Sequence, residues 1–140
     1  MLYLDTSVLV ASLTNEAATE RVQGWLVDQA PDSLAISRWV VAEFSAALSV
    51  KLRTRAIEPN ERAEALAVFR SLTDLSFRVL PIDSHHFDLA ARLADQSPIG
   101  LRAGDALHLA VAMGHDATLY TLDKRLADAA GALGAVAELV

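Results

Sequence analysis

Apolar and polar positions along the chain follow two alternating patterns. Short apolar runs, typical of buried strands, occupy residues 2–4, 34–36, 77–80 and 118–121. Segments with apolar residues at helical spacing lie between them, at residues 8–13, 16–28, 38–52, 59–72, 84–94 and 101–114. A short helix from residue 124 and an edge strand at 136–137 complete the prediction. Strands that alternate with helices indicate an α/β fold, with a short central parallel sheet of four to five strands flanked by helices.

Polar residues at the borders of these segments predict where helices begin. Thr6 and Ser7 can cap the first helix, and Ser37 can cap the helix at 38–52. Asp83 or Ser84 can cap the helix at 84–94, because short polar side chains accept hydrogen bonds from the first turn. The Ser-Pro-Ile-Gly sequence at 97–100 predicts a loop.

Composition narrows the class of protein. A chain of 140 residues with 53% hydrophobic content fits a single domain over residues 1–140 and argues against disorder. The absence of cysteine excludes disulfides and thiolate metal ligands. The chain has no apolar stretch near the ~20 residues that cross a bilayer, and its first residues do not resemble a signal peptide. We therefore expect a cytoplasmic protein with no membrane partner.

The formal net charge of −6 bears on the choice of partner. Non-specific affinity for nucleic acid comes from excess positive charge, so if the chain binds a nucleic acid, its basic contacts must be local. The acidic balance suits a basic protein partner better, unless it serves solubility alone.

Two acidic residues follow predicted strands. Asp5 comes directly after the first strand and Asp123 shortly after the fourth. Ligands of open α/β sheets bind beyond the carboxyl ends of strands, where the strand order reverses. If the first and fourth strands are neighbours, these side chains meet there. The alternative is that each residue is only a helix cap or a turn former.

Two further acidic residues lie inside apolar helical patterns. Glu43 falls on or beside the apolar stripe of its helix, and Asp105 lies in a helix that is apolar nearly all round. An ionised carboxylate in such a place needs a partner, or its pKa must rise. Arg102, three residues before Asp105, is one candidate partner.

Together these carboxylates would repel one another, and a divalent cation resolves that conflict. Mg²⁺ and Mn²⁺ prefer oxygen ligands. A cation bound by carboxylates can activate water and stabilise charge on a phosphate under attack. The sequence therefore predicts phosphodiester hydrolysis at a site whose catalytic residues and metal ligands are Asp5, Glu43, Asp105 and Asp123.

The chain resembles the PIN domain, and within it the VapC-type toxin ribonucleases of bacterial toxin–antitoxin pairs. The matching segments are YLDTSVLV at 3–10, SRWVVAE at 37–43, LRAGDALHLA at 101–110 and TLDKRL at 121–126. The resemblance implies a three-layer PIN-like fold and an endoribonuclease that uses Mg²⁺, or Mn²⁺, and leaves 5′-phosphate and 3′-hydroxyl ends. It also implies a homodimer, and a cognate antitoxin that forms a hetero-oligomer with the toxin and sends a basic side chain into the acidic pocket.

The resemblance assigns supporting roles as well. Thr6 and Thr121 would support the metal ligands, of which Asp123 binds directly or through water. Near the predicted site, Lys124, Arg125 and Arg102 are candidates for contacts to RNA phosphates. His108, one turn after Asp105, either supports the site or is a buried histidine satisfied in the core.

Two other functions remain open at this point. One is a non-catalytic PIN-like module that only binds RNA or protein. The other is phosphoryl transfer to an aspartate, for which Asp5 after the first strand is suitably placed. Phosphatases of that class need a second Asp two residues on, where this chain has Ser7, and receiver domains need paired acids, where it has Thr6.

Overall fold

A computed structural model describes residues 1–96 and 100–140 of the chain. The strands of the described residues are Leu2–Leu4 (β1), Leu34–Ser37 (β2), Arg78–Leu80 (β3), Thr118–Thr121 (β4) and Ala137–Leu139 (β5). The helices are Thr6–Leu13 (α1), Thr19–Val27 (α2), Arg38–Arg53 (α3), Pro59–Leu75 (α4), Ser84–Gln96 (α5), Ala103–Gly114 (α6) and Lys124–Ala132 (α7). A 3-10 turn, Pro31–Ser33, precedes β2.

The strands form one parallel sheet in the order β3-β2-β1-β4-β5. The central strand β1 pairs with β4 so that Leu4 lies opposite Tyr120. The first and fourth strands are therefore neighbours, as the placement of Asp5 and Asp123 required. The strand order also reverses between β1 and β4, which is where ligands bind in open α/β sheets. The predicted α/β class is confirmed.

Helix α6 is buried on nearly every side, in agreement with its apolar sequence. Its residues from Ala106 to Ala112 are all buried, and it packs mainly against α5 and also against β4. Elsewhere in the core, the stacked rings of Phe44 and Phe69, with centroids 4.1 Å apart, join α3 to α4. The first turn of α6, with Asp105, therefore lies at the carboxyl end of the sheet.

None of the helices in the described ranges combines the length and apolar content that a membrane span requires.

The helix starts differ in part from the prediction. Asp5 caps α1 through a hydrogen bond from the Val8 N–H at 3.2 Å, so the assignment of this cap to Thr6 and Ser7 is wrong. Asp5 is the single residue between the end of β1 and the start of α1, and its backbone has the extended cap conformation. Ser37 caps α3 as expected, and Asp83 accepts a hydrogen bond from the N–H three residues later, at 3.3 Å. Most of the predicted loop at 97–100 lies outside the described residues.

Candidate active site

Asp5 is the best anchored of the predicted site residues. Its side chain is 5% exposed, and Oδ1 accepts hydrogen bonds from the Ser7 hydroxyl at 2.6 Å and the Val8 N–H at 3.2 Å. Oδ2 accepts a hydrogen bond from the Thr121 hydroxyl at 2.6 Å. A carboxylate offers about four lone-pair sites. The three donors therefore fix the orientation of Asp5 and leave capacity for one further ligand.

The hydroxyls of Ser7 and Thr121 also hydrogen-bond the segment between β4 and α7. Ser7 Oγ accepts a hydrogen bond from the Leu122 N–H, and Thr121 Oγ1 accepts one from the Asp123 N–H, each at 2.9 Å. They therefore couple the position of Asp5 to that of Asp123. Thr121 is one of the supporting residues that the sequence analysis named, whereas Ser7 was assigned only to a cap. The signal for Ser7 was its place two residues after Asp5, from which a short hydroxyl reaches back to a carboxylate.

Asp123 is exposed and caps α7. Its Oδ1 accepts hydrogen bonds from the N–H groups of Arg125 at 2.8 Å and Leu126 at 3.3 Å. The cap interpretation considered for Asp5 and Asp123 thus holds for both residues. A cap uses only part of a carboxylate, however, so it does not exclude a second role at a strand end.

Glu43 reaches the site from the second turn of α3. Its Oε2 accepts a hydrogen bond from the Thr6 hydroxyl at 2.5 Å and lies 2.7 Å from His108 Nε2. Burial acts to raise the pKa of Glu43, but the hydrogen bond and charge of His108 and the bond from Thr6 outweigh it, so the pKa is lowered. Glu43 Oε1 lies close to Gly104, where an added Cβ would be 3.0 Å away. The side chain is 28% exposed, so it is confined but reachable.

Asp105 is partly buried in the first turn of α6. Within the described residues it accepts no hydrogen bond and forms no ion pair, so the candidate pairing with Arg102 is wrong. Arg102 precedes the helix with extended backbone, which removes the three-residue helical spacing that the pairing assumed. Burial is the largest cause that raises the pKa of Asp105, and the charge of Asp123 comes next; His108 and Arg102 oppose them, and Glu43 adds the smallest upward effect, so the pKa is raised.

One open cleft joins these side chains. It has a volume of about 340 Å³ and runs along α3 past Ala46, Ala47 and Val50. The carboxylates that line it are Asp5, Glu43, Asp105 and Asp123. As these side chains stand, residues 1–96 and 100–140 include no group of three His, Cys, Asp or Glu residues close enough to hold one metal ion. The four predicted carboxylates thus line one cleft, but they do not lie close enough together to hold one metal ion as they stand.

Comparison with known proteins gives the family. A sequence model of the PIN domain matches residues 2–132. The chain belongs to the PIN domain family. No curated protein sequence matches it.

Solved structures of similar fold agree with this assignment. FitAcB from Neisseria gonorrhoeae superposes with a TM-score of 0.73 and 23% identity, over 98% of this chain and 96% of that chain. VapC20 from Mycobacterium tuberculosis, described as a sarcin–ricin loop cleaving toxin, has a TM-score of 0.74 and 18% identity, over 92% and 95%. VapBC-5 from Mycobacterium tuberculosis, a member of the VapBC family of toxin–antitoxin systems, has a TM-score of 0.60 and 26% identity, over 99% and 95%. The predicted PIN fold is confirmed.

The basic residues near the cleft of this PIN domain differ in their placement. Arg102 and Arg125 line a small adjoining cavity of about 30 Å³, together with Asp105 and Asp123. The ammonium group of Lys124 instead lies 2.9 Å from a carboxylate oxygen of Asp128, one helical turn further along α7. The two arginines therefore share a cavity with two of the carboxylates, whereas Lys124 contacts Asp128.

Proposed function

We propose that this PIN domain, as one domain over residues 1–140, is a metal-dependent endoribonuclease and the toxin of a cytoplasmic toxin–antitoxin pair. The observation that carries the proposal is the single cleft lined by four carboxylates at the reversal of strand order. The solved relatives support the same class, because one is described as a toxin that cleaves the sarcin–ricin loop and another belongs to a toxin–antitoxin system.

The residues of the cleft fit a hard divalent cation. Their donors are carboxylate oxygens, which suit Mg²⁺ or Mn²⁺. Asp105 has no hydrogen-bond donor among the described residues, and its pKa is raised by burial and by neighbouring acidic groups, so a positive charge beside it would relieve an unfavourable arrangement. We assign the ligands to Asp5, Glu43 and Asp105, with Asp123 binding directly or through water. When bound, the cation would supply an activated water and charge compensation for a phosphate.

The protein's own groups then have separate tasks. Asp5 is held by its three donors and Glu43 by two, so both present fixed oxygens to the cleft. Arg102 and Arg125, at the edge of the small cavity, are placed to bind RNA phosphates beside the carboxylates, since guanidinium groups match phosphate geometry. Lys124 is the weakest of the three candidates because it lies against Asp128 and does not line the cavity that the two arginines line.

The acidic character of the protein supports an antitoxin partner. With a net charge of −6 and an acidic cleft, the surface suits a protein that inserts a basic side chain. We propose that this partner binds a homodimer of the toxin and forms a hetero-oligomer with it. Light scattering on the purified toxin, alone and with its antitoxin, measures both assemblies.

The decisive experiment measures cleavage of RNA by the purified protein with Mg²⁺, with Mn²⁺ and with EDTA. We expect cleavage to require the cation and to fall by more than about 100-fold in Asp5→Asn and Asp105→Asn. Asp88→Asn is the matched control, because Asp88 is exposed on α5, outside the cleft, and it should cleave as the wild type does. Sequencing of the cut ends should find 5′-phosphates.

Two outcomes would contradict the proposal. Undiminished cleavage by Asp105→Asn would show that the carboxylate cleft is not the catalytic site. Growth arrest that persists when Asp105→Asn is overexpressed would favour a module that binds RNA or protein without cleaving it.

A further inference from the structure

A buried chain of polar side chains leads from the carboxyl end of β2 to Glu43. Ser37 Oγ lies 2.8 Å from the Tyr3 hydroxyl, and this hydroxyl lies 3.1 Å from His108 Nδ1. His108 Nε2 lies 2.7 Å from Glu43 Oε2. Ser37 and Tyr3 are fully buried and His108 is 3% exposed. We call Ser37, Tyr3 and His108 the polar chain.

The hydrogen bonds of the polar chain can all run in one direction. A carboxylate only accepts hydrogen bonds, so Nε2 of His108 must carry the proton that faces Glu43. Nδ1 accepts a hydrogen bond from the Tyr3 hydroxyl when it carries no proton and donates one to the Tyr3 oxygen when it does, and Nε2–H faces Glu43 in both cases. Burial raises the pKa of Tyr3, so this hydroxyl keeps its proton. The Tyr3 oxygen can in turn accept a hydrogen bond from Ser37.

This arrangement fixes a side chain that would otherwise be mobile. Glutamate has three rotatable side-chain bonds and loses much rotamer freedom when it is ordered. The polar chain reaches Glu43 from β1, β2 and α6, while Thr6 on α1 supplies a second donor to the same oxygen. The position of Oε2 is thus set by four further elements, β1, β2, α6 and α1, rather than by α3 alone.

We propose that His108, held in its Nε2–H form by Tyr3, is a positioning residue that fixes Glu43 for cation binding. The inference rests on the proposed function, since it requires Glu43 to be a metal ligand. His108 does not have to touch the substrate or the cation in this role. Hydrogen-bond partners of metal-site groups typically contribute about 10–100-fold to metal affinity.

The test titrates the full-length protein with Mn²⁺ alone and follows binding by calorimetry and by the electron paramagnetic resonance signal of free Mn²⁺. His108→Leu removes the donor to Glu43, and we expect binding about 10–100-fold weaker. His108→Gln keeps an N–H at nearly the same position and should bind within about threefold of the wild type. In a Glu43→Gln background, His108→Leu should have no further effect, since the two residues act as one unit.

Tyr3→Phe tests the polar chain without changing His108. We expect about 3–10-fold weaker Mn²⁺ binding, because the imidazole loses the bond that aligns it. Tyr120→Phe, on the neighbouring strand β4, is the matched control and should bind as the wild type does. This pair decides the question even if His108→Leu fails to fold. Long-range ¹H–¹⁵N spectra should show the Nε2–H form of His108 in the wild-type protein.

The outcomes separate this inference from the proposed function. If the wild type binds Mn²⁺ and folded His108→Leu and Tyr3→Phe bind it equally well, the positioning role is overturned and the ribonuclease proposal stands. An Nδ1–H form of His108 would overturn it as well. If the wild type itself binds no Mn²⁺, the metal site and this inference both fall.

Discussion

Replacing Thr121 by valine removes one hydroxyl that serves two residues of the candidate site. This hydroxyl donates to Asp5 Oδ2 at 2.6 Å and accepts the Asp123 N–H at 2.9 Å. Thr121 is fully buried, so water cannot readily take the place of the hydroxyl. Valine has nearly the same shape, and the change therefore tests the two hydrogen bonds rather than the packing.

The expected loss of stability follows from these two bonds. A hydrogen bond to a charged carboxylate contributes about 1.5–3 kcal/mol and one to a neutral group about 0.5–1.5 kcal/mol. Asp5 keeps its donors Ser7 and Val8, which limits the loss. We expect Thr121→Val to lower the free energy of unfolding by about 2–4 kcal/mol, which lowers Tm by roughly 6–12 °C in a domain of this size.

The assay is urea unfolding followed by circular dichroism in a chelating buffer, so that cation binding adds nothing to stability. Thr121→Ser keeps the hydroxyl and should recover most of the loss. Thr118→Val is the control on the same strand, because the Thr118 hydroxyl makes no hydrogen bond in the described part of the chain. It should change stability by less than about 0.5 kcal/mol. If Thr121→Val unfolds at the same urea concentration as Thr118→Val, the coupling of Asp5 to Asp123 through this hydroxyl is refuted.

Two further predictions concern glycines at close contacts. In Gly114→Ala the new Cβ would lie 2.6 Å from Nε2 of the buried His86 ring, so calorimetry should show a free energy of unfolding about 1–3 kcal/mol lower. The control is Gly131→Ala, which has no atom within 4 Å of its Cβ and should be up to about 1 kcal/mol more stable. In Gly104→Ala the Cβ would lie 3.0 Å from Glu43 Oε1, and we expect RNA cleavage to fall by about 10-fold or more with the fold retained. Full activity of the folded variant would mean that this close approach is unnecessary.

The sheet and the long helices could be predicted because their signals are local. The apolar run at Leu2–Leu4 and the nearly all-apolar helix Ala103–Gly114 have periods that the sequence displays directly. Helix caps were less predictable, since Asp5, Thr6 and Ser7 are consecutive and each can cap. The choice among them depends on where the backbone leaves β1, which is a property of the strand pairing rather than of the side chains.

The carboxylates could be predicted as a set, but their supports could not. In the sequence Tyr3 fits an apolar strand and Ser37 fits a cap, and they are separated by 34 positions. His108 lies 105 positions from Tyr3. Their contact exists only because β1 and β2 pair and α6 packs beside them. The polar chain therefore depends on the topology of the fold, and no spacing in the sequence predicts it.

Asp105 is the residue that the fold explains least. Asp5 and Asp123 begin helices, and Glu43 accepts hydrogen bonds from Thr6 and His108, so each of these charges also has a structural use. Asp105 has no such partner among the described residues, and its pKa is raised by burial and by the charges around it. Its place in the first turn of α6 favours a negative charge, but no hydrogen-bond donor in the described ranges offsets the burial of the carboxylate. A partly buried carboxylate whose oxygens no donor occupies remains available to a ligand, and under the proposed function that ligand is the cation.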